Sequence, residues 1–467
     1  MTETVDVLVR AADAGSTYLS WRWLDDVGRP EYEVLTVART ASALAQLDAA
    51  LASPCEGVRA TDSTRPAITA GAFADVDRER VLARSLTEAV LPAKLRAGIR
   101  ERVDAGLRVR VRWTPSPRLA RIPFELLCVD GDVRLLEVAE SVLEPPSAVH
   151  ADRPLLPQPW EQVRHRPIML VIDPGLPRTA ARHELRSALA ASDAERFNKR
   201  VLEHVTAGRT VAGESSSGVQ RNLSRAALSL ALATPRSRLF YFGHVTSSDA
   251  EPGSAAIHLN DTARKWGMAE PLRRVGADGI ARDNDDDHRP FTALDLLLGT
   301  SSADETVWKS YGHGGRKLGY ELWPMPPRVA LIACEGGVDY RSAETFGLVV
   351  AMVAAGAGLV TTTRWTLPTD SAFREVSGPD IWPTGELALR VDAAHDCDDP
   401  IGELARWQRD QLRRWRESGD LAYTPLVWAS LTHTIAPARH SADSPDSERQ
   451  SAPTVQSEVL GTIGGTS

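Results

Sequence analysis

RVALIACEGG, residues 328–337, is an unbroken apolar run that ends in a thiol, a carboxylate and two glycines. So short a run predicts a fully buried strand of the kind found inside a parallel sheet covered on both faces. The glycines mark a tight turn directly after it. Cys334 therefore stands at the carboxyl end of a buried strand. Two readings of it are open. It is a small core hydrophobe, as most unpaired cysteines are, or a nucleophile presented at a strand tip.

The chain on either side repeats the same rhythm. PIMLVIDPG (167–175) and SRLFYFGHV (237–245) read as buried strands, and ARHELRSALAAS (181–192) and VQRNLSRAALSLALATP (219–235) as helices. FGLVVAMVAAGAGLVTTT (346–363) is barely long enough to cross a bilayer, and its Gly-Ala-Gly centre and β-branched end predict helix, turn and strand instead. IGELARWQRDQLRRWRES (401–418) is a long charged helix, and PLVWASLTHTIA (425–436) a last apolar strand. Strands alternating with helices imply an α/β fold, with a mainly parallel central sheet flanked by helices on both faces.

Before residue 150 the elements are mixed. VDVLVRAA (5–12), STYLSWRWL (16–24) and LRVRVRW (107–113) alternate like strands. TASALAQLDAALAS (40–53) and the segment 80–106 have helical spacing, and residues 118–143 read as loop, short helix and a strand pair turning at Asp130-Gly131. Residues 1–150 thus form an N-terminal α+β half and 151–166 a proline-rich linker. The sheet domain spans 167–437, with surface insertions near 262–290 and 300–325, and 438–467 is a polar, disordered tail.

Composition excludes several classes. The 467 residues carry a net charge of −8, which argues against general binding to nucleic acid or an anionic membrane. Four scattered cysteines form no CxxC pair, which fits a reducing cytoplasm without disulfides or structural zinc. The acidic N-terminus is no secretory signal, and no phosphate-binding glycine loop is present. Arginine far outnumbers lysine, as in GC-rich bacterial genomes. No cofactor is expected.

Functional groups in a parallel sheet gather beyond the carboxyl ends of its strands. Two strands end there in reactive side chains, His244 and Cys334. If those strands are neighbours, the imidazole can take the thiol proton and the thiolate can attack a carbonyl. Gly243, Gly336 and Gly337 would let backbone N–H groups approach a developing oxyanion.

FYFGHV (240–245), SAAIHLND (254–261), FTALDLLLG (291–299) and VALIACEGG (329–337) stand in the order of the motifs of the CHAT family, caspase-like cysteine peptidases of the separase and caspase clan. LARIPFELL (119–127), LVTTTRWTLPTDSAF (359–373) and PLVWASLTH (425–433) extend the resemblance over roughly residues 75 to 435. It implies a caspase-like fold, with the IPFELL box at 122–127 in the N-terminal half. It implies Cys334 as nucleophile, His244 as catalytic histidine, and the amides of Val245 and Cys334 as oxyanion hole. The family's glycine after the histidine is Val245 here, a β-branched residue that resists positive φ. Glu335 matches the family's glutamate and orients the loop. Its charge tends to raise the thiol pKa, so His244 must supply the activation.

Asp173 stands where such folds contact the side chain before the cut bond, which hints at a basic residue, although a turn aspartate before Pro174 is the favoured reading. Thr363, Arg364 and Trp365 occupy the stretch that pairs with extended substrate backbone. His313, in SYGHGG, is a rival for His244, but no apolar strand precedes it. His258 and His433 read as packed strand residues. RDNDDDHRP (282–290) lacks the spacing of a calcium loop and reads as solvated acid, and HDCDD (395–399) reads as an exposed cluster without a second metal ligand.

The resemblance implies an endopeptidase cutting a specific protein in a bacterial defence or regulated-death system. Its substrate would be a pore-forming or effector protein encoded nearby, and its trigger a separate sensor. A catalytically idle adaptor that binds protein partners is the alternative, with Val245 as its best support. A small-ester hydrolase or acyltransferase is the third reading.

Overall fold

The computed structural model describes residues 3–51, 60–178, 185, 187–209, 222–246, 253–275, 281–282, 284–334, 347–365 and 367–436. Twelve strands form one sheet: β1 (Thr4–Ala14), β2 (Ser16–Trp23), β3 (Asp26–Leu35), β4 (Arg108–Thr114), β5 (Ala139–Leu143), β6 (Met169–Ile172), β7 (Arg238–Thr246), β8 (Ala256–Ile257), β9 (Phe291–Thr292), β10 (Arg328–Cys334), β11 (Leu359–Thr363) and β12 (Leu431–Ile435). Their order is β9-β8-β7-β10-β11-β12-β5-β4-β1-β2-β3, with β6 also paired to β7. The runs β6-β7-β10-β11 and β12-β5-β4-β1 are parallel, and antiparallel pairs join the two runs at β11–β12 and lie at both edges.

Strand alternation divides the core in two. Phe240, Phe242, Ala330 and Ile332 face one cluster, packed by helices Ala194–Thr206, Pro383–Ala394 and Pro400–Ser418. Leu239, Tyr241, Val329 and Leu331 face the other, with helices Arg225–Leu232, Ala293–Leu298 and Leu348–Ala354. Burial on both faces is why these strands are apolar at every position. The expected fold class is what the chain adopts. At the far edge only one face of β1–β3 is packed, and Tyr18 and Tyr32 stand exposed on the other.

Both halves read from the sequence share this sheet. The seam between β12 and β5 holds a single register pair, Thr434 with Leu143. Buried side chains secure it. Arg364 donates from Nη2 to both oxygens of Glu125, at 2.9 and 2.8 Å, and to the Leu431 carbonyl at 2.6 Å. Its Nη1 meets the Ile122 carbonyl. Residues 151–166 take part too: Arg153 donates to the carbonyls of Ala357 and Ala436, and Trp160 is buried under the Arg328 guanidinium, 3.7 Å away.

Several elements differ from expectation. β3 carries Gly28 and Pro30 and is exposed along most of its length, so no alternation announces it. Pro92 caps Ala93–Asp104 and splits the helical stretch 80–106. The helix expected over 181–192 falls partly outside the described residues. Residues 187–190 are not helical, a single 3-10 turn covers Ala191–Asp193, and the α-helix begins only at Ala194. Pro425–Trp428 is a helical turn ahead of β12. Residues 319–325 are not surface, since Leu322, Trp323 and Met325 join the second core cluster. The segment 437–467 lies outside the described residues.

Removing one partner of a buried ion pair strands the other charge. Arg364→Leu is expected to lower stability by about 3–5 kcal/mol. Glu125→Leu added to it should recover much of that loss. Urea unfolding of the three proteins measures both effects.

Candidate active site

The register of β7 and β10 makes Cys334 the Cα partner of His244, as Ile332 is of Phe242. Partners on adjacent parallel strands lie about 5 Å apart and share a face. Phe240, Phe242, Ala330 and Ile332 identify that face as the one turned to the first core cluster. His244 is half-buried there, one residue beyond the hydrophobic floor. The neighbourhood that the spacing left conditional is thus a backbone fact. Glu335, Gly336 and Gly337 lie outside the described residues.

Val245 does not sit in a turn. β7 runs on through Thr246, and Val245 pairs with Ile257 and is buried in the second core cluster. Asp173 is the one non-glycine residue with positive φ among those described, so the crowding expected at Val245 does not arise. The N–H of His258 donates to the His244 carbonyl at 3.3 Å. By the alternation of an antiparallel ladder, the Val245 N–H then points away from β8, toward the β10 side. The glycine before the histidine has a packing reason. A Cβ on Gly243 would lie 2.8 Å from the Tyr241 hydroxyl and 3.1 Å from Cδ of Pro174. That hydroxyl donates to the His244 carbonyl at 2.8 Å.

Asp173 follows β6 with φ +46°. Its N–H donates to the Phe242 carbonyl at 2.6 Å. Its carboxylate accepts the Ala188 N–H at 2.7 Å and the Ser187 hydroxyl. It therefore ties residues 187–188 beside the strand ends. Thr363 is fully buried and paired with Leu431. The side chains of the next two residues turn inward, so any pairing with substrate there is by backbone. The Arg364 side chain is committed to Glu125, and Trp365 is buried against Phe73 with Nε1 donating to the Leu426 carbonyl. Core packing claims both side chains.

Asp261 and Asp295, from two quoted motifs, have a common partner that the sequence reading missed. Arg225 is buried, its N–H donating to Asp261 at 2.8 Å and its Nη1 to Asp295 at 3.3 Å. It also donates to the carbonyls of Trp266 and Pro290. Two motif acids without a cation were the available signal.

The rival groups fall elsewhere. His313 lies in a loop after helix Glu305–Ser310. His258 and His433 are buried, as read. The acidic loop is only partly solvated: Asp285 and Asp286 are exposed, but Asp287 and His288 are buried. HDCDD is likewise only partly exposed: Asp398 and Asp399 face solvent, but His395 is buried and Asp396 joins Asp392 and His204 in a group compact enough for a metal. Arginines occupy its carboxylates. Arg238 donates to both acids at 2.6 and 2.9 Å, Arg200 to both at 2.6 and 2.8 Å, and Arg209 to Asp396. Arg238 begins β7, so this network clamps the strand at the end opposite His244.

The CHAT domain family matches residues 80–374. The chain belongs to the CHAT family. Its structure is similar to a chain in the crystal structure of the Saccharomyces cerevisiae separase–securin complex, with a TM-score of 0.47 and 9% identity. The likeness covers 93% of this CHAT chain but only 30% of that one. No curated protein matches the sequence. Among the described residues no helix is long and apolar enough to cross a membrane.

Buried imidazoles are expected to make this CHAT protein acid-sensitive. Burial, with Arg364 adding to it, brings the pKa of His433 down to about 4. A group lowered on folding contributes stability that is complete above its unfolded pKa, about 6.5, and is lost as pH falls toward 4. His433 alone should account for about 3 kcal/mol over that interval. His395, pushed the same way by burial, adds to it. Urea midpoints at about pH 7 and 4.5 test this, and His433→Gln should flatten the slope.

Proposed function

We propose that the chain is a cysteine endopeptidase in which Cys334 attacks a peptide carbonyl and His244 carries the proton. The observation that supports this best is the register that makes these two residues direct neighbours on one face, at the carboxyl ends of parallel strands. His244 accepts the thiol proton, and the thiolate adds to the carbonyl carbon. The oxyanion meets the amides of Val245 and Cys334. Kinship with the CHAT family supports this, and an amide serves as well from valine as from glycine. The intermediate collapses with loss of the amine, which takes the proton from His244. Water, deprotonated by His244, then cleaves the thioester.

Asp173, beside the end of β7, gives the site an acidic wall that suits a basic side chain before the cut bond. Contact from residues 363–365 falls to the backbone, with Arg364 and Trp365 turned inward. The substrate is a protein; kinship with the CHAT family supports a role in bacterial defence or regulated death under a separate sensor, and the scattered cysteines support a cytoplasmic location. The adaptor reading leaned on Val245 and loses that argument, since the residue sits unstrained in a strand.

A peptide-fluorophore panel and an acyl electrophile test the proposal together. Cys334 should react about a hundredfold faster than Cys397, whose thiol pKa is raised by burial and nearby acids. His244→Ala should lower that rate by a factor of about 10² or more. Peptide cleavage should vanish in Cys334→Ala. A Cys334 no more reactive than Cys397 would overturn the proposal.

A further inference from the structure

The face that carries His244 holds a second imidazole for which the proposed chemistry has no use. β7 and β8 pair Thr246 with Ala256 and Val245 with Ile257. The next step of the ladder sets His258 opposite His244, joined by the hydrogen bond from His258 N–H to His244 carbonyl at 3.3 Å. Cross-strand partners share a face. With the register of Cys334 on His244, positions 334, 244 and 258 form one row across three strands.

His258 is fully buried, and its hydrogen bonds fix its protons. Nδ1 of His288 lies 3.0 Å from the Asp261 carbonyl, which can only accept, so His288 is protonated at Nδ1 and offers a lone pair at Nε2. That lone pair receives the Nδ1–H of His258 at 2.8 Å. Nε2 of His258 in turn accepts the Thr246 hydroxyl at 2.8 Å. The chain is complete with both rings neutral, and it anchors the last residue of the strand that presents His244 and Val245.

We propose that His258 is a positioning residue for His244: a neutral imidazole that holds the end of β7 and leaves the row's single positive charge to His244. The inference rests on the Cys334–His244 reading. Burial opposes charge on His258 most, then His288 and His244, and its pKa lies well below the usual imidazole value. Among the described residues, Asp287 directly precedes His288, and the Asp261 carboxylate beside it is turned to Arg225. During catalysis the proton taken from the thiol therefore stays on His244, where the leaving amine needs it.

The test is the rate of Cys334 alkylation by iodoacetamide between about pH 5 and 9, read by peptide mass mapping. His258→Leu should lower the rate near neutrality about tenfold and move the midpoint upward by about one pH unit. His258→Gln, which keeps an acceptor for Thr246, should restore most of the rate. An unchanged midpoint in His258→Leu, with the rate still dependent on His244, would overturn this inference and leave the dyad standing. A rate indifferent to His244→Ala would remove the dyad itself. If His258→Leu fails to fold, histidine-selective NMR of the wild-type protein decides. A His258 resonance that stays neutral down to about pH 5 supports the role, and one titrating near 6.5 overturns it.

Discussion

The contact between Arg364 and Glu125 is the interaction on which the two halves of this protein depend. A guanidinium and a carboxylate removed from water are tolerable only together, with their remaining hydrogen bonds satisfied. Burial raises the pKa of Glu125, and Arg364 is the largest influence pulling it back. The carbonyls of Ile122 and Leu431 accept from the same guanidinium. The pair thus joins the IPFELL segment, β12 and the residue after β11 across a seam that has one register pair. Two strands further along the sheet stands β10, which carries Cys334.

The same constraint explains why the candidate site is made of so few residues. β7 is clamped at its start by the Arg238 network with Asp392 and Asp396, and at its end by Tyr241, Thr246 and His258. Between the clamps, apolar packing on both faces sets the pleat. A strand held in this way cannot slip, because a slip of one residue would exchange the two core faces and turn His244 to the wrong side. Arg225 performs a comparable service for the excursion between β7 and β10. It draws Asp261, Asp295 and two carbonyls around one buried charge.

Much of this could be read in advance where the signal was local. Uninterrupted apolar runs announced β6, β7 and β10, and alternation announced β1, β2 and β4. β3 escaped because an exposed edge strand containing Gly28 and Pro30 has neither pattern. Histidines and acids were read less well. Their spacing says nothing about which carbonyls and guanidinium groups will surround them, so His288, His395 and Asp396 looked exposed.

The sequence by itself determined the fold class, the family and the placing of His244 and Cys334 at strand ends, because each rests on patterns within a few consecutive residues. Only the tertiary structure decided that β7 and β10 are neighbours in the register that pairs them. It alone decided that Val245 is strand rather than turn, that Arg364 and Trp365 serve the core, and that His258 stands third in the row. Those are matters of partner and face, and they follow from strand pairing and the need to satisfy every buried charge. No stretch of sequence encodes that need on its own.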